Sequence, residues 1–242
     1  MTARVSRSLA LATVLVATLA TTGTTQAALV ALIDLHTAFT PPAGADANGN
    51  HWNAIGGAAT YTTPVTVSNL KTTSNGATTW DLTVSGLVDK PSPQGDVGWS
   101  GGGVGLAGPA PFDQDFAYKD GIFSQDSNAK ATITLADLTP NTQYNFTAIG
   151  GRTSTGANGV ITVTTGTGTG GTLLNTGALL DFSVVSNASG VIAFTFNSAN
   201  ASSGGTSSNM SAFRMQIIPE PASLALAGVG ALLVLPRRRR DA

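Results

Sequence analysis

The stretch Val191-Ile-Ala-Phe-Thr-Phe196 decides the fold. Its large apolar residues Ile192, Phe194 and Phe196 occupy alternate positions, which is the period of a β-strand with one buried face. The same alternation recurs further along the chain, in Phe213, Met215 and Ile217. Because each apolar strand face needs another apolar surface to cover it, the pattern predicts an all-β domain in which two sheets face each other.

Short runs of this kind, separated by turn residues, fill the chain between residues 28 and 217, and sustained helical periodicity is absent from that part of the sequence. The pair Asn75-Gly76 lies between two of these runs, as a type I′ hairpin requires. Residues 41–50, 91–126 and 166–171 are predicted to be irregular, and a loop as long as the second is often functional. The predicted strands cover residues 29–35, 65–70, 78–84, 131–135, 144–149, 160–164, 180–185, 191–196 and 212–218.

The run Leu138-Thr-Pro-Asn-Thr-Gln-Tyr-Asn-Phe146 resembles the tyrosine corner of fibronectin type III and related sandwiches. The resemblance implies that Tyr144 is buried and hydrogen-bonds to the backbone upstream. One fibronectin module would cover only about half of the residues from 28 to 217. We therefore expect a single antiparallel β-sandwich similar to the jelly rolls of carbohydrate-binding modules.

The composition of residues 28–217, which we call the body, excludes several functions. Between residues 28 and 217 there are six Lys or Arg against eleven Asp and no Glu, a formal charge of −5. A surface of that charge does not attract nucleic acid. Cysteine is absent, so the domain has no disulfide, no thiolate metal site and no thiol nucleophile. Two scattered histidines without cysteine do not make a zinc site.

The C-terminus has three parts in order. Pro219, Glu220 and Pro221 precede an uncharged, apolar segment at residues 222–235, and Arg237, Arg238, Arg239 and Arg240 follow it. A helix of fourteen residues would be about 21 Å long, shorter than the ~30 Å core of a bilayer. The prolines and the arginine block favour a short transmembrane helix with a cytoplasmic stop over the alternative, a soluble core helix.

This order of motifs resembles the PEP-CTERM sorting signal of Gram-negative bacteria. The resemblance covers residues 218–242, and Pro236, one residue before the arginines, is its departure from the family pattern. It implies that an exosortase in the inner membrane cuts near Pro219–Pro221 and passes the protein to the envelope or the exterior. An extended Pro-x-Pro segment suits such a site because proline excludes helix from the scissile region.

The N-terminus predicts export independently. Arg4 and Arg7 precede an apolar run at residues 9–20, and Thr25-Gln26-Ala27 has the small-x-small form of a cleavage site. These features are typical of a secretory signal peptide, here residues 1–27, read by the Sec translocon and signal peptidase. The alternative is an uncleaved membrane anchor.

Aspartate-rich turns indicate a candidate calcium site. Asp46, Asn48 and Asn50 place oxygen side chains at alternate positions of one turn, and Asp113, Asp115 and Asp120 crowd into another. Calcium takes six to eight oxygen ligands, many of them from loops. The hypothesis is that one loop binds a structural calcium, and no other cofactor is expected. The alternative is that these side chains only stabilise turns.

Two tryptophans in predicted loops, Trp52 and Trp99, are candidates for stacking on sugar rings, with a core role as the alternative. Catalysis is not expected. A glycosidase needs two carboxylates facing each other across a cleft, and Asp113 with Asp120 is only one of several candidate pairs.

The sequence thus predicts an exported envelope or extracellular-matrix protein. An inner-membrane-anchored precursor would be processed by an exosortase, and the body would act as a structural or glycan-binding module in contact with extracellular polysaccharide. The alternative function is a secreted polysaccharide-active enzyme.

Overall fold

The computed structural model describes residues 28–37, 40–57, 61, 63–89, 96–100, 107–151, 156–199 and 207–218. These belong to one compact unit, Ala28–Ile218. The predicted signal peptide and, apart from Ile218, the predicted sorting signal lie outside the described residues, including Pro219, Glu220, Pro221 and the arginines 237–240. Among the residues that are described, no helix has the length and apolar character needed to cross a bilayer.

This part of the chain folds into strands and one short helix. The strands are β1 (Val30–Leu35), β2 (Trp52–Ile55), β3 (Val65–Val67), β4 (Asp81–Ser85), β5 (Val97–Ser100), β6 (Gly121–Ser124), β7 (Ala131–Ala136), β8 (Gln143–Gly150), β9 (Gly159–Thr165), β10 (Thr167–Gly168), β11 (Gly171–Leu173), β12 (Leu180–Val185), β13 (Ile192–Ser198) and β14 (Ser208–Ile217). The helix, α1, is Asp115–Lys119.

The strands form two sheets. The larger has the order β10-β12-β8-β14-β1-β2, with β6 also paired to β14 and β5 paired to β6. The smaller has the order β11-β9-β13-β7-β4-β3. Every pairing is antiparallel except that of β1 with β2, which is parallel. The prediction of a purely antiparallel sandwich is therefore wrong at this edge. Residues 36–51 separate β1 from β2, long enough for the crossover that parallel neighbours need.

The core lies between the two sheets, as the alternating pattern predicts. Phe194 of the smaller sheet contacts Phe146 and Phe213 of the larger one, with ring centroids 5.7 and 5.9 Å apart. Ile192, Phe194 and Phe196 are all buried. Each such side chain contributes about 1.5–3 kcal/mol relative to an exposed one.

All nine predicted strands are present, with some shifts at their ends, but the sequence missed others. The region predicted to be irregular, residues 91–126, contains β5, α1 and β6. Val97, Trp99 and Ile122 from this region are buried in the main core. Short strands next to proline and glycine escape a pattern search, because only two or three residues display the alternation.

Two local predictions have clear outcomes. The Tyr144 hydroxyl accepts a hydrogen bond from the backbone N–H of Thr139 at 3.0 Å, and the side chain is fully buried, so the tyrosine corner is present. The Asn75-Gly76 hairpin forms, but Thr72 N donates to Gly76 O and only Asn75 of the pair has a positive φ, 65°. The turn is thus longer than a two-residue type I′ turn.

Candidate functional site

The outer surface of the larger sheet carries two rows of polar side chains across β12, β8 and β14. In the first row, Asp181 lies opposite Thr147, and Thr147 lies opposite Arg214. In the second row, the register places Ser183 opposite Asn145 and Asn145 opposite Gln216. These residues alternate along their strands with core residues, so they fall on the face away from the smaller sheet. We call these six residues the polar face.

Hydrogen bonds order the first row. Thr147 Oγ1 donates to Asp181 Oδ1 at 2.6 Å, and Arg214 Nη2 donates to Thr147 Oγ1 at 3.0 Å. In the second row, Ser183 Oγ donates to Asn145 Oδ1 at 2.7 Å. Arginine has five N–H donors, so a single bond to Thr147 leaves most of them for another partner. Asp181 is an acceptor-only group, and the row therefore offers both donors and acceptors on one rigid sheet.

Two grooves flank Arg214. One, of about 390 Å³, is lined by the polar face and by Phe146 and Phe182. The other, of about 350 Å³, lies on the side of β1 and includes Val30, Leu32, Asn48, Asn50 and Thr73 in its lining. Both volumes lie in the range of small-ligand sites. Arg214 lines both grooves, so a ligand longer than either groove could contact its guanidinium from both sides.

The predicted sugar-stacking role of Trp52 and Trp99 is wrong, because neither ring is presented to solvent. Trp99 is 2 % exposed and belongs to the main core. Trp52 is 8 % exposed and packs edge-on against Phe112 and Phe116, at centroid distances of 6.0 and 5.2 Å. Burial of a large aromatic ring stabilises the folded state. These two rings therefore contribute to the core and are not available to stack on a sugar. Both residues have the core role that was the alternative.

Asp46, Asn48 and Asn50 form a closed turn. Asp46 Oδ1 accepts the backbone N–H groups of Asn48 and Asn50, both at 2.8 Å, and Oδ2 accepts Trp52 Nε1–H at 2.7 Å. Burial acts to raise the pKa of Asp46, but the bonds from Trp52, Asn50 and Asn48 outweigh it and hold that pKa below its ordinary value. The carboxylate oxygens of Asp46 therefore stabilise the turn, which was the alternative to calcium binding for this loop.

The three aspartates of the second predicted calcium cluster, Asp113, Asp115 and Asp120, have different surroundings. Asp113 Oδ1 accepts a bond from Asn48 Nδ2 at 3.3 Å, which joins the two aspartate-rich loops. Asp115 is bound within α1 by Lys119 and by Tyr118, whose hydroxyl donates at 2.6 Å. Asp120, by contrast, is fully buried. Within the described ranges, no group of three His, Cys, Asp or Glu residues is placed to hold a metal ion.

The sequence did not single out any residue of the polar face. A signal was available: Thr147, Asp181 and Arg214 are polar residues at alternate positions between buried core residues of β8, β12 and β14. What the sequence could not provide was the order and register of those strands, which alone bring the three side chains into one row.

Comparisons with known proteins give little beyond this. No family model and no curated protein matches the chain. Among solved structures, the chain is similar to the enzymatically active domain of tailspike protein 4 of bacteriophage CBA120, with a TM-score of 0.32 and 10 % identity. The match covers 57 % of this chain and 19 % of that one, so the chain spans less than a fifth of its length. Such a likeness carries no argument about activity.

Proposed function

We propose that this chain is an exported bacterial envelope or matrix protein whose jelly-roll-like sandwich binds polysaccharide through the polar face. The observation that carries the proposal is the hydrogen-bonded row Asp181–Thr147–Arg214, which lines one groove and reaches a second groove at Arg214. Sugar hydroxyls both donate and accept hydrogen bonds, and the Asp181 carboxylate with the Arg214 guanidinium matches them in both senses. The Thr147 hydroxyl, which is buried between these two groups and bonded to both, holds them in place.

The arrangement of the polar face favours an extended ligand of low charge. Asp181 and Arg214 offset each other, and Asn145, Ser183 and Gln216 are neutral. The row runs across three strands, which at about 4.8 Å per strand spacing spans roughly two sugar residues. Because all three tryptophans of the chain are buried, binding would rest on hydrogen bonds rather than on ring stacking. Because binding would rest on hydrogen bonds alone, we expect a low affinity at each site. Several copies of the protein in a matrix would together bind one polysaccharide chain more tightly.

For delivery of the body, the proposal adds a signal peptide at residues 1–27, a short transmembrane helix at 222–235 and exosortase processing at Pro219–Pro221. The support comes from the sequence motifs and from the position of the last strand. β14 ends at Ile217, and the core residues of the described unit all precede Pro219. A cut at the Pro-Glu-Pro motif would therefore remove the tail without removing any part of that core.

The binding test compares two threonine variants and one arginine variant. Arg214→Ala removes donors from the polar face, and Thr147→Val removes the hydroxyl that bonds to Asp181 and Arg214 and holds them in place. Thr134→Val makes the same Thr-to-Val change on β7 of the smaller sheet. In affinity electrophoresis and on a glycan array with envelope polysaccharides, we expect Arg214→Ala to weaken binding at least tenfold, since a charged hydrogen bond is worth about 1.5–3 kcal/mol. Thr147→Val should weaken it several-fold, and Thr134→Val should bind like the wild type.

Equal binding by all three variants would contradict the proposed site, and no binding to any polysaccharide would contradict the proposed function. The same samples are assayed for reducing ends. Their release by the wild-type protein would favour the alternative, a polysaccharide-active enzyme, over a binding module.

A further inference from the structure

A second feature of the larger sheet concerns Asp34. This residue lies near the end of β1, is 0 % exposed, and neither of its carboxyl oxygens has a hydrogen-bond partner. Buried polar groups in folded proteins are almost always hydrogen-bonded, and a buried carboxylate without a donor is the costly exception. Asp34 therefore needs a partner of some other kind.

The fold brings a second buried carboxylate to the same place. β1 and β6 pair with successive parts of β14, β1 up to Ala212 and β6 up to Met210, so their ends meet. Asp120 immediately precedes β6 and is also 0 % exposed. Gly121 permits this approach, because at its φ of 151° a Cβ would lie 2.3 Å from the Met210 carbonyl oxygen.

Contacts and charge link the two aspartates. Thr37, three residues after Asp34, donates its backbone N–H to Asp120 Oδ2 at 2.9 Å. Burial, and after it the charge of Asp120, raises the pKa of Asp34 well above its ordinary value. Two carboxyl groups in a buried place repel each other as anions, and a proton or a cation would relieve the repulsion. His36 lies close enough to Asp120 for the two to interact, but burial holds the pKa of this imidazole below its ordinary value, which disfavours its charged form.

The other buried polar atoms without a partner favour a cation. One of them is the hydroxyl oxygen of Thr37, the residue whose backbone N–H already bonds to Asp120. Like the carboxyl oxygens, it is a hard ligand, which suits calcium and magnesium better than zinc or copper. A shared proton would satisfy only one pair of carboxyl oxygens and would leave the Thr37 oxygen without a partner.

We propose that Asp34 and Asp120, together with the Thr37 hydroxyl, bind a divalent cation, calcium in the first place, that joins β1 to β6. Asp34 supplies two oxygens and Asp120 a further carboxylate, and the ion neutralises both. The site differs from the loops that the sequence indicated, since only Asp120 belongs to both. It goes beyond the proposed glycan binding and does not depend on it.

The test measures thermal unfolding of the full-length protein in mild detergent, with EDTA and then with about 2 mM calcium or magnesium. Extracellular calcium sites have Kd values of about 0.1–1 mM, so we expect calcium at this concentration to raise the wild-type Tm by about 2–5 °C. Asp34→Asn should abolish this rise, and Thr37→Val should shift the response to several-fold higher calcium. Asp137→Asn, the same change at an exposed site, should respond like the wild type.

Equilibrium dialysis with radioactive calcium should find one bound ion per wild-type chain. The same Tm for the wild type in EDTA and in calcium would overturn the proposal and leave a shared proton as the solution. An undiminished calcium response in Asp34→Asn would place the ion elsewhere and would also overturn it. If Asp34→Asn does not fold, Thr37→Val decides: an unchanged calcium dependence overturns the site.

Discussion

At the scale of single residues, the aspartates of this protein have different roles set by their surroundings. Asp46 accepts bonds from a turn and from Trp52, whereas Asp34 is buried without any donor. The pKa of the first lies below its ordinary value and that of the second above it. Sequence spacing groups aspartates by distance along the chain, and that distance does not report which donors surround each carboxyl group.

A substitution at Asp46 tests its role in the turn. Asp46→Asn replaces Oδ2, the acceptor for Trp52 Nε1–H, or Oδ1, the acceptor for two backbone N–H groups, by an NH₂ group. Because bonds to a charged acceptor are worth about 1.5–3 kcal/mol, we expect a loss of that order in the free energy of unfolding at pH 7. Urea unfolding monitored by tryptophan fluorescence measures it, with Asp137→Asn as the surface control.

The pH dependence of this effect has a definite sign. The folded-state pKa of Asp46 is lowered from its ordinary value of 3.8, so its contribution to stability is present above that value and is lost as the pH falls through the folded pKa. The difference between the wild type and Asp46→Asn should therefore be largest near neutral pH and narrow below about pH 4. A difference that is constant from pH 7 to pH 3 would show that the charge of Asp46 contributes nothing.

At the scale of elements, the connection between β7 and β8 is fixed by one phenol. The Tyr144 hydroxyl accepts the Thr139 N–H, and the Tyr144 ring packs edge-on against Trp80, 6.0 Å away. The corner thus links the entry of β8, in the larger sheet, to a residue just before β4, in the smaller one. The sequence motif predicts the hydrogen bond between Tyr144 and Thr139 because both residues belong to the same short run of the chain.

Tyr144→Phe keeps the ring and removes only the hydroxyl. We expect a loss of about 0.5–1.5 kcal/mol in the free energy of unfolding, measured by urea denaturation, because one intramolecular hydrogen bond is lost. The matched control is Tyr118→Phe, whose hydroxyl donates to the exposed carboxylate of Asp115. An exposed bond exchanges readily with water, so this control should change stability by less than about 0.5 kcal/mol. Equal losses of stability in the two variants would contradict the prediction that the buried Tyr144 hydrogen bond contributes more than an exposed one.

At the scale of the whole molecule, the core of the described unit lies before the proposed cleavage site. In cells that encode an exosortase, we expect the wild-type chain to be shortened near Pro219 and to leave the inner membrane. Glu220→Ala and deletion of Arg237–Arg240 should each leave a longer, membrane-bound precursor, since the first alters the recognised motif and the second the membrane stop. Immunoblots of fractionated cells measure both, with Asp241→Ala as the control. Normal processing in both variants would refute this account of the tail.

The sequence by itself determined the β class, the position of nine strands, the facing phenylalanines and the tyrosine corner. Each of these rests on alternation or on residues that are near neighbours in the chain, and such information is local. It also carries the prediction about sorting, since terminal signals are linear motifs.

Only the tertiary structure decided the rest. Strand order and register put Asp181, Thr147 and Arg214 in one row although they are 34 and 67 residues apart along the chain. The same is true of Asp34 and Asp120, which meet because β1 and β6 share one edge of β14. Burial of Trp52 and Trp99 also depends on which elements cover them. Contacts between distant segments are fixed by packing of the whole core, and no local pattern specifies them.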